Sequence, residues 1–310
     1  MSFVDAVLSD PAATELIVVV DGCDDGSIEM LEQRATVEPR LKPLMVSHRG
    51  HLACLQAGVA IARSSVVLLL DDDVLADEGL VSRHAALHAG AKDRVVMGYM
   101  PVRVARRRRH GQVGTYVYAD EYEMHCSRIS RGELPVLEGL WAGNISMPRA
   151  SCLAVGLQSA EFAHFYHSDR DLGLRLQSGG LEGALDLSLT ASHIHERSTL
   201  SFLRDALSQG EGLALLHEVH AASLGPLDIS QFYADLPCMT RRLVLYLAGS
   251  KHCWRACRLI GAFSGLFGRL HWFGVETAVA KLARRALLLH ATMFRVDAPS
   301  AERSSESRAR

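Results

Sequence analysis

The run Leu16-Ile17-Val18-Val19-Val20 is apolar at every position, with no alternation toward a polar face. A strand of this kind suits a parallel sheet covered on both sides. It ends in Asp21-Gly22-Cys23-Asp24-Asp25-Gly26-Ser27, a segment made of turn residues, and helical spacing follows over Ile28 to Arg34. The cycle then repeats. Pro43-Leu44-Met45-Val46 reads as a short strand, Gly50 lies in a loop, and Leu52 to Ala62 has helical spacing. Ser65 to Leu70 is a second buried-type strand that runs directly into Asp71-Asp72-Asp73. A helix over about Glu78 to Ala89 and a strand at Arg94 to Gly98 continue the pattern, and Phe3 to Leu8 precedes it as a short helix closed near Asp10-Pro11. Strand and helix alternate, which predicts an α/β fold with a Rossmann-type, mostly parallel, doubly wound sheet flanked by helices. Ligands of such sheets bind outside the carboxyl ends of the strands, so Asp21 and Asp71 should open into one crevice.

The second half is less regular. Val102 to His110 is basic, Gly139 to Met147 is glycine-rich, and Asp169 to Gln177 has the start of a helix with Leu172, Leu174 and Leu176. From Leu200 to about Phe294 the pattern is helical and amphipathic, a C-terminal helical extension. Residues 298–310 are Ser, Glu and Arg with almost no apolar content, the composition of a disordered tail. This divides the chain into an α/β domain at 1–200, in two halves at 1–100 and 101–200, a helical region at 201–297 and the tail.

Formal net charge is -2, which removes the general argument for nucleic-acid binding. The 7 cysteines are scattered without repeated CxxC spacing, as in a reduced cytosolic protein. Cys253 and Cys257 stand at i,i+4 beside His252, but no second ligand pair accompanies them. The first residues lack the basic region of a secretory signal. No stretch reaches the roughly 20 apolar residues of a membrane span. The expected location is cytoplasmic, with room for peripheral association at the inner face of a membrane.

Asp71-Asp72-Asp73 is the sharpest chemical feature. Adjacent carboxylates repel, and a divalent cation removes the repulsion while leaving positions for substrate phosphates. The plainer reading is a solvated loop or a helix-capping cluster. Asp21 suits a ribose or nucleobase contact, although Asp-Gly is also an ordinary turn. One of His193 and His195 could be a metal ligand brought to the triplet, against the commoner structural histidine. Asp169, at a helix start, is either a cap or a general base.

Taken together, these segments resemble family 2 glycosyltransferases of the GT-A fold, over about Glu15 to Gly212. Glu15 to Ser27 resembles the strand with the nucleoside-binding Asp, here Asp21. Gly50 through Gly58 resembles the loop and helix before the metal motif. Val66 to Val74 resembles the DxD strand, with the motif on Asp71 and Asp73. Gly143-Asn144-Ile145-Ser146 resembles the segment lining the acceptor side, beside Trp141. Ser168-Asp169 stands where the family has Glu-Asp, and His193 to Leu200 resembles the HxH segment with His193 on the ligand position. The resemblance implies metal-dependent, inverting transfer of a hexosyl-type sugar from a nucleoside-diphosphate sugar to an acceptor hydroxyl or similar nucleophile. Asp169 would be the base. Asp21, Gly50, Asp71 and Asp72 would hold the nucleotide sugar. Asp71, Asp73 and His193 would hold Mn²⁺ or Mg²⁺. The acceptor stays open among a glycan, a lipid, a natural product and a peptide.

Two departures accompany the resemblance. The family begins with an inner strand of the type Val-Ile-Pro-x-Tyr-Asn that touches the base. Here a helical segment follows Met1 at once, so either the chain start is misassigned or the sheet lacks that strand, which would leave unpaired backbone on both neighbours. Ser168 replaces a Glu beside the base. The basic run Arg103, Arg106, Arg107, Arg108 and Arg109 suits a donor diphosphate, an anionic acceptor, an anionic membrane surface or a plain solvated loop. Two other readings remain: a nucleotidyltransferase, and a catalytically impaired relative acting as a binding or scaffold protein.

Overall fold

The computed structural model of the chain describes residues 3–48, 50–91, 93–162 and 166–297. The tail expected over residues 298–310 lies outside them. The chain forms two compact units, one from the described parts of residues 1–103, 122–163 and 168–194, the other from 104–121, 166–167 and 195–297.

In the first unit the βα alternation is found nearly where the apolar runs place it. Helix α1 (Phe3–Leu8) precedes β1 (Leu16–Asp21), α2 (Ser27–Ala35), β2 (Leu41–Val46), α3 (His51–Ile61) and β3 (Val66–Leu70). A three-residue strand β4 (Val74–Ala76), α4 (Leu80–Leu87) and β5 (Arg94–Tyr99) follow. Helix α5 (Val113–Ser130) passes from the second unit back into the first, which then adds β6 (Asn144–Pro148), α6 (Arg149–Val155), α7 (Ser168–Ser178) and β7 (Glu182–His193).

The strands make two sheets. β1 and β2 pair in parallel, and the other five run in the order β3-β6-β5-β7-β4. β5 and β7 are parallel, whereas β6 is antiparallel to both β3 and β5, and β4 is antiparallel to β7. The sheet is therefore mixed, because the elements of the second half insert antiparallel partners between the parallel ones. Val95, Val96 and Met97 of β5 and Ile145 and Met147 of β6 are fully buried, as strands covered on both faces must be.

β1 and β3 share no ladder, yet their ends are tied. At the start, Thr14 Oγ1 lies 3.1 Å from Ser64 Oγ, and Glu15 accepts from the backbone N–H of Arg63 at 2.6 Å and of Ser64 at 3.2 Å. At the finish, Gly50 N–H donates to Asp21 Oδ2 at 2.9 Å and His51 Nε2 sits 3.5 Å from Asp71 Oδ1. Both strands thus run the same way with facing edges. A cavity of about 490 Å³ lies there, lined by Leu16, Ile17 and Val19, the length of β3, and side chains of α3 and α4.

The second unit is helical. It contains α8 (Thr199–Val219), the short α9 (Ala221–Leu224), a 3₁₀ turn at Ile229–Phe232, α10 (Cys238–Ala248), α11 (Cys253–Arg269) and α12 (Phe273–Asp297). Ala280, Ala283, Ala286, Leu287 and Leu289 place one apolar face of α12 at its centre. All seven cysteines are free thiols, and Cys253 and Cys257 are buried against each other with their sulfurs 3.9 Å apart. Arg108, from the basic run, is half-buried. It donates to Glu276 Oε2 at 3.0 Å and to Thr277 Oγ1 at 2.9 Å, and its guanidinium stacks on Tyr116 and Phe273. That arginine serves the helical core, while Arg103, Arg106, Arg107 and Arg109 are exposed.

Two outcomes are expected. Amide protons of β1 and β3 that face the cavity should exchange faster than those of the doubly paired β5 and β6, read residue by residue in native-state hydrogen exchange. Arg108→Met should cost about 3 kcal/mol in chemical unfolding, since it leaves the Glu276 charge buried and unpaired, whereas Arg106→Met should stay within about 0.5 kcal/mol.

Candidate active site

The site is built at the carboxyl ends of β1 and β3, all within the first unit. The α3 amino end brings the two together. Gly50 has φ 86°, a conformation that favours glycine, and its N–H points to Asp21 while the next residue, His51, faces Asp71. His48 Nδ1 stands 3.5 Å from the same Asp21 oxygen, Oδ2. His48 and His51 are site neighbours that the sequence reading passed over. Their adjacency to Gly50, between two acidic strand ends, was the available signal.

The acidic triplet is split by its turn. Asp72 is exposed, whereas Asp71 and Asp73 are half-buried. Burial, with the negative charges of Asp73 and Asp72, holds the Asp71 carboxyl above the usual carboxylate range, against the opposing pull of His51 and His193. Gly143 is the floor beneath it: its carbonyl accepts from Asp71 N–H at 3.2 Å, and a Cβ there would lie 2.6 Å from Asp71 Oδ2 and 2.7 Å from Met100 Sδ.

His193 ends β7 and is buried. Its backbone is gripped on both sides, donating to Pro101 O at 3.0 Å and accepting from Arg103 N–H at 2.8 Å. Ile194 N–H donates to Asp73 O at 2.8 Å, and His193 Nε2 lies 3.1 Å from Asp73 Oδ2. Asp73 and His193 can each turn a ligand atom to a common ion. A carboxylate and an imidazole, with the crowded Asp71 carboxyl on the neighbouring strand end, form a donor set that suits Mn²⁺ or Mg²⁺. His195 belongs to the second unit, where it accepts from Arg197 Nε at 2.7 Å and packs on Tyr118.

Asp169 opens α7 and accepts from Arg170 N–H at 2.8 Å. It keeps partial exposure, yet protein crowds its carboxyl. Burial first, and then the negative charge of Asp71, push it up to about 6. The rest of the motif is structural. Asp171 is buried in an i,i+4 pair with Arg175 at 2.9 Å, and that guanidinium also donates to the carbonyls of Val155, Gly156 and Leu157. Arg170 donates to Glu138 O at 2.8 Å.

The acceptor-side residues divide. Trp141 is half-buried, edge-on to Tyr122 and His125 with centroids 5.2 Å away in both cases. Asn144 is only 1% exposed and its side chain is used inside the sheet. Its Nδ2 donates to Leu189 O at 3.0 Å and its Oδ1 accepts from His84 Nε2 at 3.1 Å. That donation makes His84 Nδ1 an acceptor for the Ser146 hydroxyl at 2.8 Å, and His88 Nε2 donates to Ser146 Oγ at 2.7 Å. Burial drives His84 down to about 4, so the relay is neutral.

Strand ends that gather carboxylates and a histidine on a mixed sheet are the layout of a GT-A glycosyltransferase. Residues 2–151 match the sequence profile described as Glycosyl transferase family 2, so this segment carries the signature of that family, and the chain is a glycosyltransferase. No curated protein matches the sequence. Among solved structures, the chain is similar to a mannosyltransferase, PcManGT from Pyrobaculum calidifontis, in complex with GDP-Man and Mn²⁺. Identity is 14%, the TM-score is 0.55, and the match covers 95% of this chain and 83% of that one. It also matches TarS 1-349 of S. aureus at 12% identity and a TM-score of 0.44, over 89% and 85% of the two chains. The first of these likenesses shows the fold.

The floor contact is open to a direct check. Gly143→Ala should displace Asp71 and lower transfer activity by about 100-fold, the scale of a 1 Å misplacement, with a circular-dichroism spectrum unchanged from wild type.

Proposed function

We propose that this chain is a metal-dependent, inverting glycosyltransferase that moves a sugar from a nucleoside-diphosphate donor to an acceptor hydroxyl. The observation that carries the reading is the strand-end cluster in which His193 Nε2 lies 3.1 Å from Asp73 Oδ2, beside the crowded Asp71 carboxyl. Asp169, whose carboxyl burial pushes up to about 6, is the candidate base.

Asp21, with the Gly50 backbone at its side, contacts the nucleoside. Asp71, Asp73 and His193 hold the cation, and Asp72 reaches the donor from the exposed side of the turn. Bound there, Mn²⁺ or Mg²⁺ would offset the charge of the departing diphosphate. Asp169 takes the proton from the acceptor hydroxyl as its oxygen bonds to the anomeric carbon. The bond from that carbon to the diphosphate breaks on the opposite face, so the configuration inverts. Trp141 and the Gly143 backbone border the acceptor, and Asn144 keeps the floor rigid from within the sheet. GDP-mannose, seen with the mannosyltransferase of the same fold, is the first donor to try.

The test is release of nucleoside diphosphate from a panel of nucleotide sugars with Mn²⁺. Asp169→Asn should lower the rate by about 1,000-fold while retaining donor binding. Asp73→Ala should weaken binding and rate together, and a chelator should remove both. Asp169 acts deprotonated, and its raised value means protonation sets in below about pH 6. kcat/KM should therefore fall as pH drops through about 6, a limb missing from Asp169→Asn. Asp169→Asn retaining activity within tenfold of wild type would overturn the assignment of the base. Failure of every donor to bind the intact chain would favour a binding protein built on the same fold.

A further inference from the structure

The second unit carries a surface that the transfer reaction does not use. Helix α11 is built with its sizes inverted. Its inner face is Cys253, Cys257, Gly261, Ser264 and Gly268, all buried. Its outer face is Leu259, Phe263, Leu266 and Leu270, spaced i, i+4, i+7 and i+11 on one side of the helix. Leu259 is 67% exposed and Phe263 59%. A surface helix ordinarily turns its polar side outward. Trp272, 58% exposed, extends the stripe past the helix end and is held flat against Phe267 with ring planes 17° apart. The preceding helix α10 adds Met239 and Tyr246, both still more exposed.

The charge around this stripe is of one sign. Between Asp235 and Glu276 there is no carboxylate, in a chain that has 35, while Arg241, Arg242, Lys251, Arg255, Arg258 and Arg269 all fall there and all are exposed. On α11, Arg258 and Arg269 flank the apolar stripe along one rim. No helix among the described residues is long and apolar enough to cross a membrane.

We infer that the outer face of α11, with α10 beside it, docks on an anionic lipid bilayer, its Leu, Phe and Trp side chains entering the headgroup boundary and its arginines meeting lipid phosphates. The uniform positive charge selects this occupant over a second copy of the chain, because two such faces would repel. An apolar stripe rimmed by Arg and continued by Trp is the composition of an interfacial helix. The inference does not depend on the transfer reaction, and its test does not read activity.

The full chain is mixed with vesicles of phosphatidylcholine alone and with vesicles in which about one quarter of the lipid is phosphatidylglycerol, and binding is read by flotation. Binding to the anionic vesicles should be at least about tenfold tighter and should weaken with added salt. Leu259→Ser with Phe263→Ser should abolish binding, and Arg258→Gln with Arg269→Gln should remove most of the anionic preference. These side chains are exposed, so the thermal midpoint should not move. Equal binding to both vesicle types, or no binding, would overturn the proposal. So would a dimer in sedimentation that Phe263→Ser dissolves, which would make the face a contact between copies.

Discussion

The pairing of β4 with β7 is the contact on which the rest of the first unit depends. Val74 sits opposite His193 in that ladder, so a strand of three residues fixes the last strand of the sheet beside the turn that holds Asp73. The backbone of His193 and Ile194 is held by Pro101, Arg103 and Asp73, and its imidazole then has one direction to point. A metal-type donor pair is thereby assembled from residues 120 positions apart in sequence. The cost of closing so long a loop is met by sheet hydrogen bonds rather than by the two side chains. The site geometry is consequently a product of strand register, in which a slip of one residue would turn His193 to the opposite face.

That register explains what could be read in advance. The first hundred residues were legible because each strand, loop and helix announces itself locally: Leu16 to Val20, the Asp-Gly turn, and the apolar run into Asp71. β6 was read as an acceptor-lining segment through the family resemblance of Gly143-Asn144-Ile145-Ser146. Only long-range partners, Leu189 and the histidines of α4, show that Asn144 and Ser146 are used inside. β7 carries a local signal that the sequence reading passed over, since Leu185, Leu187, Leu189, Ala191 and His193 alternate with period two. Asp169 was ambiguous between cap and base for a physical reason. Its raised affinity for a proton comes from burial and from Asp71, and neither is encoded near it in the chain.

The cavity between β1 and β3 sharpens the relation between fold and site. Tethers at both ends keep the two strands aligned without a shared ladder: Glu15 with the amides of Arg63 and Ser64 at one end, Gly50 with Asp21 at the other. Asp71, Asp73 and His193 stand at the ends of β3, β4 and β7, in the five-stranded sheet, and Asp21 ends β1, in the two-stranded one. The two halves of the site are therefore joined through α3 and its amino end, not through sheet hydrogen bonds. Aliphatic side chains of β1, β3 and α3 line much of the gap, together with Glu15, Ser64, His84 and Ser146.

The net charge of -2 conceals a segregation that composition cannot show. Carboxylates collect at the strand ends of the first unit, where the charges of Asp73 and Asp72 raise the proton affinity of Asp71. The forty-residue stretch before Glu276 is cationic throughout. Its helical period was legible, but the inward side was not, because Cys257, Gly261, Ser264 and Gly268 are small and weakly hydrophobic beside Leu259 and Phe263. Small residues are inside because α11 lies close to its neighbours: a Cβ on Gly261 would fall 2.5 Å from Leu203 Cδ1, and one on Gly268 would fall 2.4 Å from Glu276 Oε1. Close packing thus uses up the small face and leaves the large apolar one outward. The arginine rim on that exposed face follows from the same geometry, since the packed side has no room for a guanidinium.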